Sequence, residues 1–288
     1  MRMKLFIALF LFVSALTSCQ KEISFDNNGG NSGGGTTGDL VTRIVSKVGT
    51  DSTVNEYEYD SNKRLIREKI SGVSQGVPIN NDLRIIRNSA GIITSTIQKN
   101  AELITQGLDS AVSRINYDAA SNRYISRVIE ISFFGLTTID STVFNYDAGG
   151  RIISEEDFLA NPALGSSPLL SAKTEYTNGS AGINQTNISF RDPMAGGPFE
   201  LLATVKYTYD RKVSPLILSP GEAAVMARTD LSATSNGTKI EFEDIANGGA
   251  GSFTQTLVYT YNSKNKPVTA VSTQTPGNIV SSISFYYK

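Results

Sequence analysis

The sequence predicts an all-β protein: repetitive antiparallel β-hairpin units forming one large curled sheet or open barrel-like shell, with one short helix. Three observations carry this. Apolar and polar residues alternate with period two, so that Val205, Tyr207 and Tyr209 share one face of an extended chain and Thr204, Lys206 and Thr208 the other. Asp, Asn and Gly break that alternation at turns. The turns recur, at Asp60, Asn88, Asp118, Asp147, Thr177, Asp210, Asn236 and Asn262, at intervals of 26 to 33 residues. Phe144-Asn145-Tyr146-Asp147-Ala148-Gly149-Gly150-Arg151-Ile152 is the best-kept copy, read as strand, tight turn and strand, with the Gly pair supplying positive φ.

Taken in order, the chain begins with an address. Arg2 and Lys4 precede an apolar run from Leu5 to Leu16, too short to span a bilayer as a mature helix and flanked like a secretory signal. The run ends in Leu16-Thr17-Ser18-Cys19, and Cys19 is the single cysteine of the chain, so no intrachain disulfide forms. Leu-Thr-Ser-Cys resembles the lipobox of bacterial lipoproteins, which implies cleavage after residue 18, acylation of Cys19 and a membrane partner through that lipid. The alternative is an ordinary signal peptide with Cys19 incidental. Gln20-Lys21-Glu22 resembles the surface-export signal of Bacteroidota lipoproteins, which places the expected product on the outer membrane, at the cell surface. Residues 19–38 then form a tether rich in Gly, Asn, Ser and Thr that buries too little apolar surface to order itself. About 19 such residues give an end-to-end distance of roughly 25 Å.

Residues 39–288 read as a single β domain. Eight repeats of two strands give about sixteen, more than the roughly ten that a twisted open sheet carries before it curls or splits. A rolled sheet is therefore expected, with two packed sheets as the second choice. Asn161-Pro162 and Ser167-Pro168 mark Phe158–Leu170 as a long loop. Ser219-Pro220-Gly221-Glu222 reads as a helix start, with Ser capping, Pro in the first turn and Glu three residues after the cap. A short helix over Ala223–Leu231 is predicted, plugging an open end or covering an edge.

Tyr59-Asp60, Tyr117-Asp118, Tyr146-Asp147 with Gly150-Arg151, Tyr209-Asp210 and Tyr261-Asn262 resemble the YD repeat of Rhs-type and teneurin-type proteins. That resemblance implies a spiralling β-shell and carries no activity with it. Only one copy keeps the Asp-x-x-Gly-Arg ending, and the repeat step is longer than in those families.

The chemistry open to this chain is narrow. It has no histidine and no tryptophan, which removes His-based nucleophile systems and His- or Cys-based metal sites if Cys19 is acylated. No cofactor is implied. The 26 basic and 27 acidic residues nearly cancel and no basic cluster occurs after residue 70, which argues against a nucleic-acid partner. Glu155-Glu156-Asp157 and Glu241-Phe242-Glu243-Asp244 are the densest acidic stretches, and the second puts Glu241 and Glu243 side by side on one strand face. Paired carboxylates are the one enzymatic route left open, but a solvated loop and strand face is the favoured reading and no catalytic residue is named. Asp60-Ser61-Asn62 and Asp192-Pro193 offer fragments of calcium-loop chemistry without an Asp-x-Asp-x-Asp-Gly run, and turn chemistry is the favoured reading. Tyr57, Tyr59, Tyr207, Tyr209, Tyr259 and Tyr261 form either a glycan-stacking ladder or, the favoured reading, an aromatic core fixing strand register. The absence of histidine also implies no side-chain titration between pH 6 and 8.

The expected function is that of a membrane-anchored, non-enzymatic binding or interaction module with a glycan or protein ligand, using connections 71–82, 157–170 and 192–199. A carrier holding an apolar ligand in a partly open barrel comes second and a hydrolase third.

Overall fold

The computed structural model describes residues 40–105, 107–133, 136–160, 167–192 and 197–288. The predicted signal peptide, Cys19 and most of the tether lie outside them. Sixteen strands follow in chain order: β1 Val41–Val48, β2 Asp51–Tyr59, β3 Leu65–Ser74, β4 Val77–Arg87, β5 Ile93–Asn100, β6 Ala111–Asp118, β7 Arg123–Phe133 and β8 Leu136–Tyr146. The second half comprises β9 Ile152–Ala160, β10 Leu169–Asn178, β11 Ile183–Phe190, β12 Glu200–Val213, β13 Ser235–Asp244, β14 Phe253–Tyr261, β15 Pro267–Thr275 and β16 Ile279–Tyr287. A short helix, α1 (Ala101–Thr105), joins β5 to β6, and a second, α2 (Pro220–Val225), lies between β12 and β13 with a 3-10 turn at Thr229–Ser232. Every strand pairs antiparallel with its sequence neighbours, and β1 pairs with β16, Ile44 opposite Phe285. The sheet is thus a closed sixteen-stranded barrel, which leaves no strand edge to template association.

One turn chemistry explains the periodicity. At Asp60, Asn88, Asp147 and Asn262 the backbone N–H of the turn residue donates to the carbonyl four residues on, at 2.9 Å in each case. The side-chain oxygen of the same residue accepts the N–H of that fourth residue, at 2.9 to 3.0 Å. The third residue after it sits in the left-handed region: Lys63 at φ 64°, Gly91 at 86°, Gly150 at 81° and Asn265 at 59°. Of the Gly149-Gly150 pair only Gly150 has positive φ, so a single Gly or Asn per turn is what the backbone requires. Arg64 and Arg151 add a side-chain bond from Nε to the turn carboxylate at 2.8 Å.

The recurring tyrosines have an equally local cause. Five of them send their hydroxyls to a backbone carbonyl of the preceding odd-numbered strand or its entry, while Tyr117 and Tyr261 donate to the Asn122 and Asp210 side chains. Tyr59 bonds Val41 O, Tyr146 bonds Tyr124 O, Tyr209 bonds Ile183 O, Tyr259 bonds Gly237 O and Tyr287 bonds Pro267 O, all at 2.7 to 2.9 Å. This belt fastens each hairpin to the one before it at the turn end of the barrel. A buried hydroxyl must find such an acceptor, which is why Tyr and not Phe holds these positions.

Three expectations are corrected. Asn236 does not open an eighth hairpin; it lies in β13 and donates from its backbone N to Asp210 Oδ1 at 3.1 Å and from Nδ2 to Oδ2 at 3.2 Å. Asp210 and Asn236 are the two feet of one long connection that folds into the barrel. The predicted helix is shorter than Ala223–Leu231, because Ala227 adopts φ 54° and turns the chain out of it. The predicted loop over Phe158–Leu170 begins and ends in strand, since β9 runs to Ala160 and β10 starts at Leu169; residues 161–166 lie outside the described range.

Asp210 accepts from Lys212 N, from Asn236 and from the Tyr261 hydroxyl. Asp210→Ala is expected to cost about 2–3 kcal/mol of stability, against about 1 kcal/mol or less for Asp118→Ala at an exposed turn. Urea midpoints of the two variants check the difference.

Candidate functional site

The connection from Ser214 to Thr234 turns inward and fills the lumen beneath the tyrosine belt. Leu216, Leu218, Ala223, Ala224, Val225, Met226 and Leu231 are all buried there, packed with Tyr57, Leu65, Tyr124, Phe144, Leu257 and Phe285 of the wall. Ser219 caps α2, its Oγ accepting from Glu222 N at 3.3 Å. Four polar contacts fix this plug to strands on different sides of the lumen: Arg87 Nη1 to Glu222 Oε1 at 2.5 Å, Arg228 Nη1 to Glu68 Oε1 at 3.4 Å, Arg127 Nη1 to Val225 O at 3.4 Å, and Thr229 Oγ1 to the Tyr176 hydroxyl at 3.3 Å. Gly221 lies so close to the Tyr124 ring that a Cβ would stand 2.9 Å from Cδ2, so only glycine lets the helix seat.

Past the plug the lumen is open. Parity along the strands assigns the inward positions: Ile129 and Ile131 follow Arg127 on β7, Leu159 follows Asp157 on β9, Ile188 follows the buried Thr186 on β11, and Val205 lies between Ala203 and Tyr207 on β12. All five apolar side chains keep partial exposure although they face the barrel interior. Inward residues at the plugged end, such as Leu65, Ile93 and Ile152, are fully buried. The half of the lumen remote from the turns is therefore a solvent-entered vestibule. Its wall from β7 to β12 is largely apolar, and its opposite wall carries Thr53, Asn81, Gln98, Gln274 and Ser281.

A charged cluster lies between plug and vestibule. Arg127 Nη2 donates to Thr142 Oγ1 at 3.2 Å, and Thr142 donates on to Asp157 Oδ1 at 2.7 Å. Thr229 of the plug, Tyr176 and Glu155 form a second chain. Several partners are missing: Arg127 Nε, Asp140 Oδ1 and Glu155 Oε1 are buried without a hydrogen bond. Burial, opposed by Arg127 and reinforced by Asp157, pushes the Glu155 carboxyl up to about 7. Burial and the neighbouring Asp157 charge push Asp140 up to about 6, with Arg127 opposing. Burial also lifts the Tyr176 hydroxyl well above its ordinary range.

The structure distributes the acidic candidates differently from the sequence reading. Glu155 and Asp157 face the lumen while Glu156 alternates outward; Asp140, the third member, was missed because it stands alone in sequence, without another acidic residue near it. Glu241 and Glu243 share the outer face, where Glu241 pairs with Lys239 at 2.7 Å and both line an open groove of about 330 Å³ with Lys206. The hydrolase reading thereby loses that pair as groups facing across a cleft. The Asp60 carboxylate is occupied by Asn62 N, Arg64 N and Arg64 Nε. Asp192 follows β11, with Pro193 outside the described range. Among the described residues no group of three or more His, Cys, Asp and Glu is placed to hold a metal ion. The Tyr ladder points inward against the plug and core, not outward as a stacking platform. Connection 71–82 is mostly strand, with its turn at Gln75-Gly76.

Among solved structures, a porin-like protein from Bacteroides uniformis superposes with a TM-score of 0.51 at 10% identity, covering 86% of this chain and 98% of that one. A porin-like protein from Bacteroides vulgatus matches with a TM-score of 0.39 at 11% identity, over 87% and 99% of the two chains. No protein-family model matches the sequence, and no curated protein does. The first likeness is one of fold, and it corrects the resemblance to YD-repeat proteins: the strands close into a sixteen-stranded barrel, not a spiralling Rhs-type or teneurin-type shell. The Tyr-x-Tyr-Asp pattern arises here from hairpin closure and the hydroxyl belt.

The missing histidine does not leave pH 6 to 8 silent, because burial moves two carboxyls into that window. Both hold their protons more tightly folded than unfolded, so stability rises as pH falls through 7 towards 5 and is lost as pH rises. Asp60, Asp82, Asp118 and Asp147 are held below the ordinary range and act in the opposite sense only at lower pH. The melting temperature is expected to be several degrees higher at pH 5.5 than at 8, and Glu155→Gln to reduce that slope.

Proposed function

We propose that this protein is a lipid-anchored binding barrel that stands beside the outer membrane, with the open half of its lumen as the binding site. The carrying observation is the outer face of the barrel. A barrel that crosses a bilayer shows lipid an apolar band, and a Lys or Arg at its midplane costs about 2–4 kcal/mol. Here outward positions bear ion pairs at intervals around the ring: Glu58–Arg67–Asp82 over β2 to β4, Arg114–Glu130 over β6 and β7, Lys173–Glu175 on β10 and Lys239–Glu241 on β13. β8, β11 and β14 to β16 lack outward charge and show mostly Thr, Ser, Asn, Gln, Val, Ile and Tyr; five strands of sixteen, with charged strands between β8, β11 and β14, make no belt. No helix among the described residues is long and apolar enough to cross a membrane either.

Anchorage then falls to Cys19. Lys288 N donates to Leu40 O at 2.8 Å, which puts the start of the barrel at the turn end, beside the plug. A lipid on Cys19 and a tether of roughly 25 Å would hold the plugged end towards the membrane and leave the vestibule facing away. The longer connections between strands, including 101–110 with α1 and 245–252, gather at that far rim. The filled Tyr-lined end argues against a carrier reading in which an apolar channel runs under the helix.

Cys19→Ala is expected to abolish acyl labelling and move the protein from the membrane to the soluble fraction. Residues 20–288 should purify without detergent as a folded β protein. Retention of that shortened chain in washed membranes would show that the barrel itself inserts.

A further inference from the structure

On β8, Asp140 stands directly between Ile129 of β7 and Leu159 of β9, a single carboxylate set in the apolar wall of the vestibule. No donor reaches its Oδ1, and the residue as a whole keeps partial exposure towards the lumen. Arg127, the one cation in the cluster beside it, gives Nη1 to Val225 O and Nη2 to Thr142, so it neutralises one carboxylate at most among Asp140, Glu155 and Asp157. The site is net negative and short of donors. We infer that the vestibule binds a small amphipathic amine, its ammonium on Asp140 and its hydrocarbon along Ile129, Ile131, Leu159 and Ile188.

An ammonium matches each element of this wall. It supplies the charge and the N–H donors that an unpaired buried carboxylate lacks. A divalent cation needs several oxygen ligands in a shaped shell, and the apolar neighbours of Asp140 offer none. A carboxylate or phosphate ligand would meet the excess negative charge, with only Nε of the Arg127 guanidinium left to receive it. Burial and the charge of Asp157 push Asp140 up to about 6, so at pH 7.5 it is ionised, and an arriving cation gains by pairing with a charge that burial and its neighbour disfavour.

The inference rests on the open lumen being the binding site, and the test separates the two. Residues 20–288 include every strand of the closed ring, so this chain is titrated calorimetrically at pH 7.5 with octylammonium, octanoate and octanol. Octylammonium is expected to bind tightest, and Asp140→Asn to weaken it about tenfold while leaving octanol unchanged, as loss of a charged hydrogen bond implies. Leu159→Lys places a tethered ammonium opposite Asp140 and should suppress octylammonium binding in the same way, with circular dichroism confirming that both variants fold. Equal affinity for the amine and the alcohol, or an amine affinity unmoved by both variants, overturns the amine assignment while keeping the vestibule. Failure of all three probes to bind the parent chain overturns the vestibule as well.

Discussion

Closing sixteen strands into one ring creates a problem that the rest of the molecule answers. Barrels of about eight strands have interiors that side chains alone can fill, whereas at sixteen to eighteen the lumen admits water. This chain is 40% hydrophobic and carries no tryptophan, so its inward side chains cannot span such a gap from the wall alone. The connection between β12 and β13 supplies the missing core. Leu216, Leu218, Val225 and Leu231 meet the inward Tyr, Ile and Phe residues at the turn end and convert a hoop into a packed body there. Among the described residues no such insert enters the far half, where inward side chains keep partial exposure.

That division sets where polar groups can be afforded. At the plugged end five tyrosine hydroxyls of the wall each have a backbone acceptor within 2.9 Å, and Arg87 and Glu68 pair with Glu222 and Arg228 of the plug. At the boundary the bonding is incomplete, with Arg127, Asp140 and Glu155 each leaving a buried atom unpaired. Orphaned buried groups in a native protein call for an explanation. The boundary between a dry core and a wet vestibule provides one: it is the level at which a solute entering from the open end meets groups that the fold has not satisfied.

Much of the architecture could be read from the residues because its causes are local. Period-two alternation, the Asp or Asn that bonds its own turn, and the Ser-Pro-Gly-Glu helix start act over a few residues, so strands, turns and helix were all legible. What escaped is long-range. Asp210 and Asn236 look like successive turns of a repeat, and only their contact across 26 residues shows that they clamp one insertion. Closure of β1 on β16 also leaves no mark in sequence, since the tyrosine of the last strand bonds its neighbour as every other copy does. The vestibule was hardest to see. Asp140 has no acidic neighbour in sequence, and Glu155 looked like part of a solvated Glu-Glu-Asp run until strand parity turned it inward. The Tyr-Asp pattern misled about ancestry for the same reason: a hairpin closed by Asp and pinned by Tyr is a local solution open to unrelated folds.

Orientation is the final consequence of closure. A ring formed by pairing the first strand with the last brings both chain ends to one rim, here the rim carrying the tight turns and the plug. Under the proposed Cys19 anchorage, a tether entering at Leu40 would pull on the best-packed part of the barrel, where β1 is held by two neighbours and by the Tyr59 hydroxyl on Val41 O. The loosely filled half, with its longer connections, lies at the opposite pole. The proposed anchorage through the well-packed end would leave the vestibule free of the lipid surface without any further device, and it would separate the residues that keep the barrel closed from those that a ligand would meet.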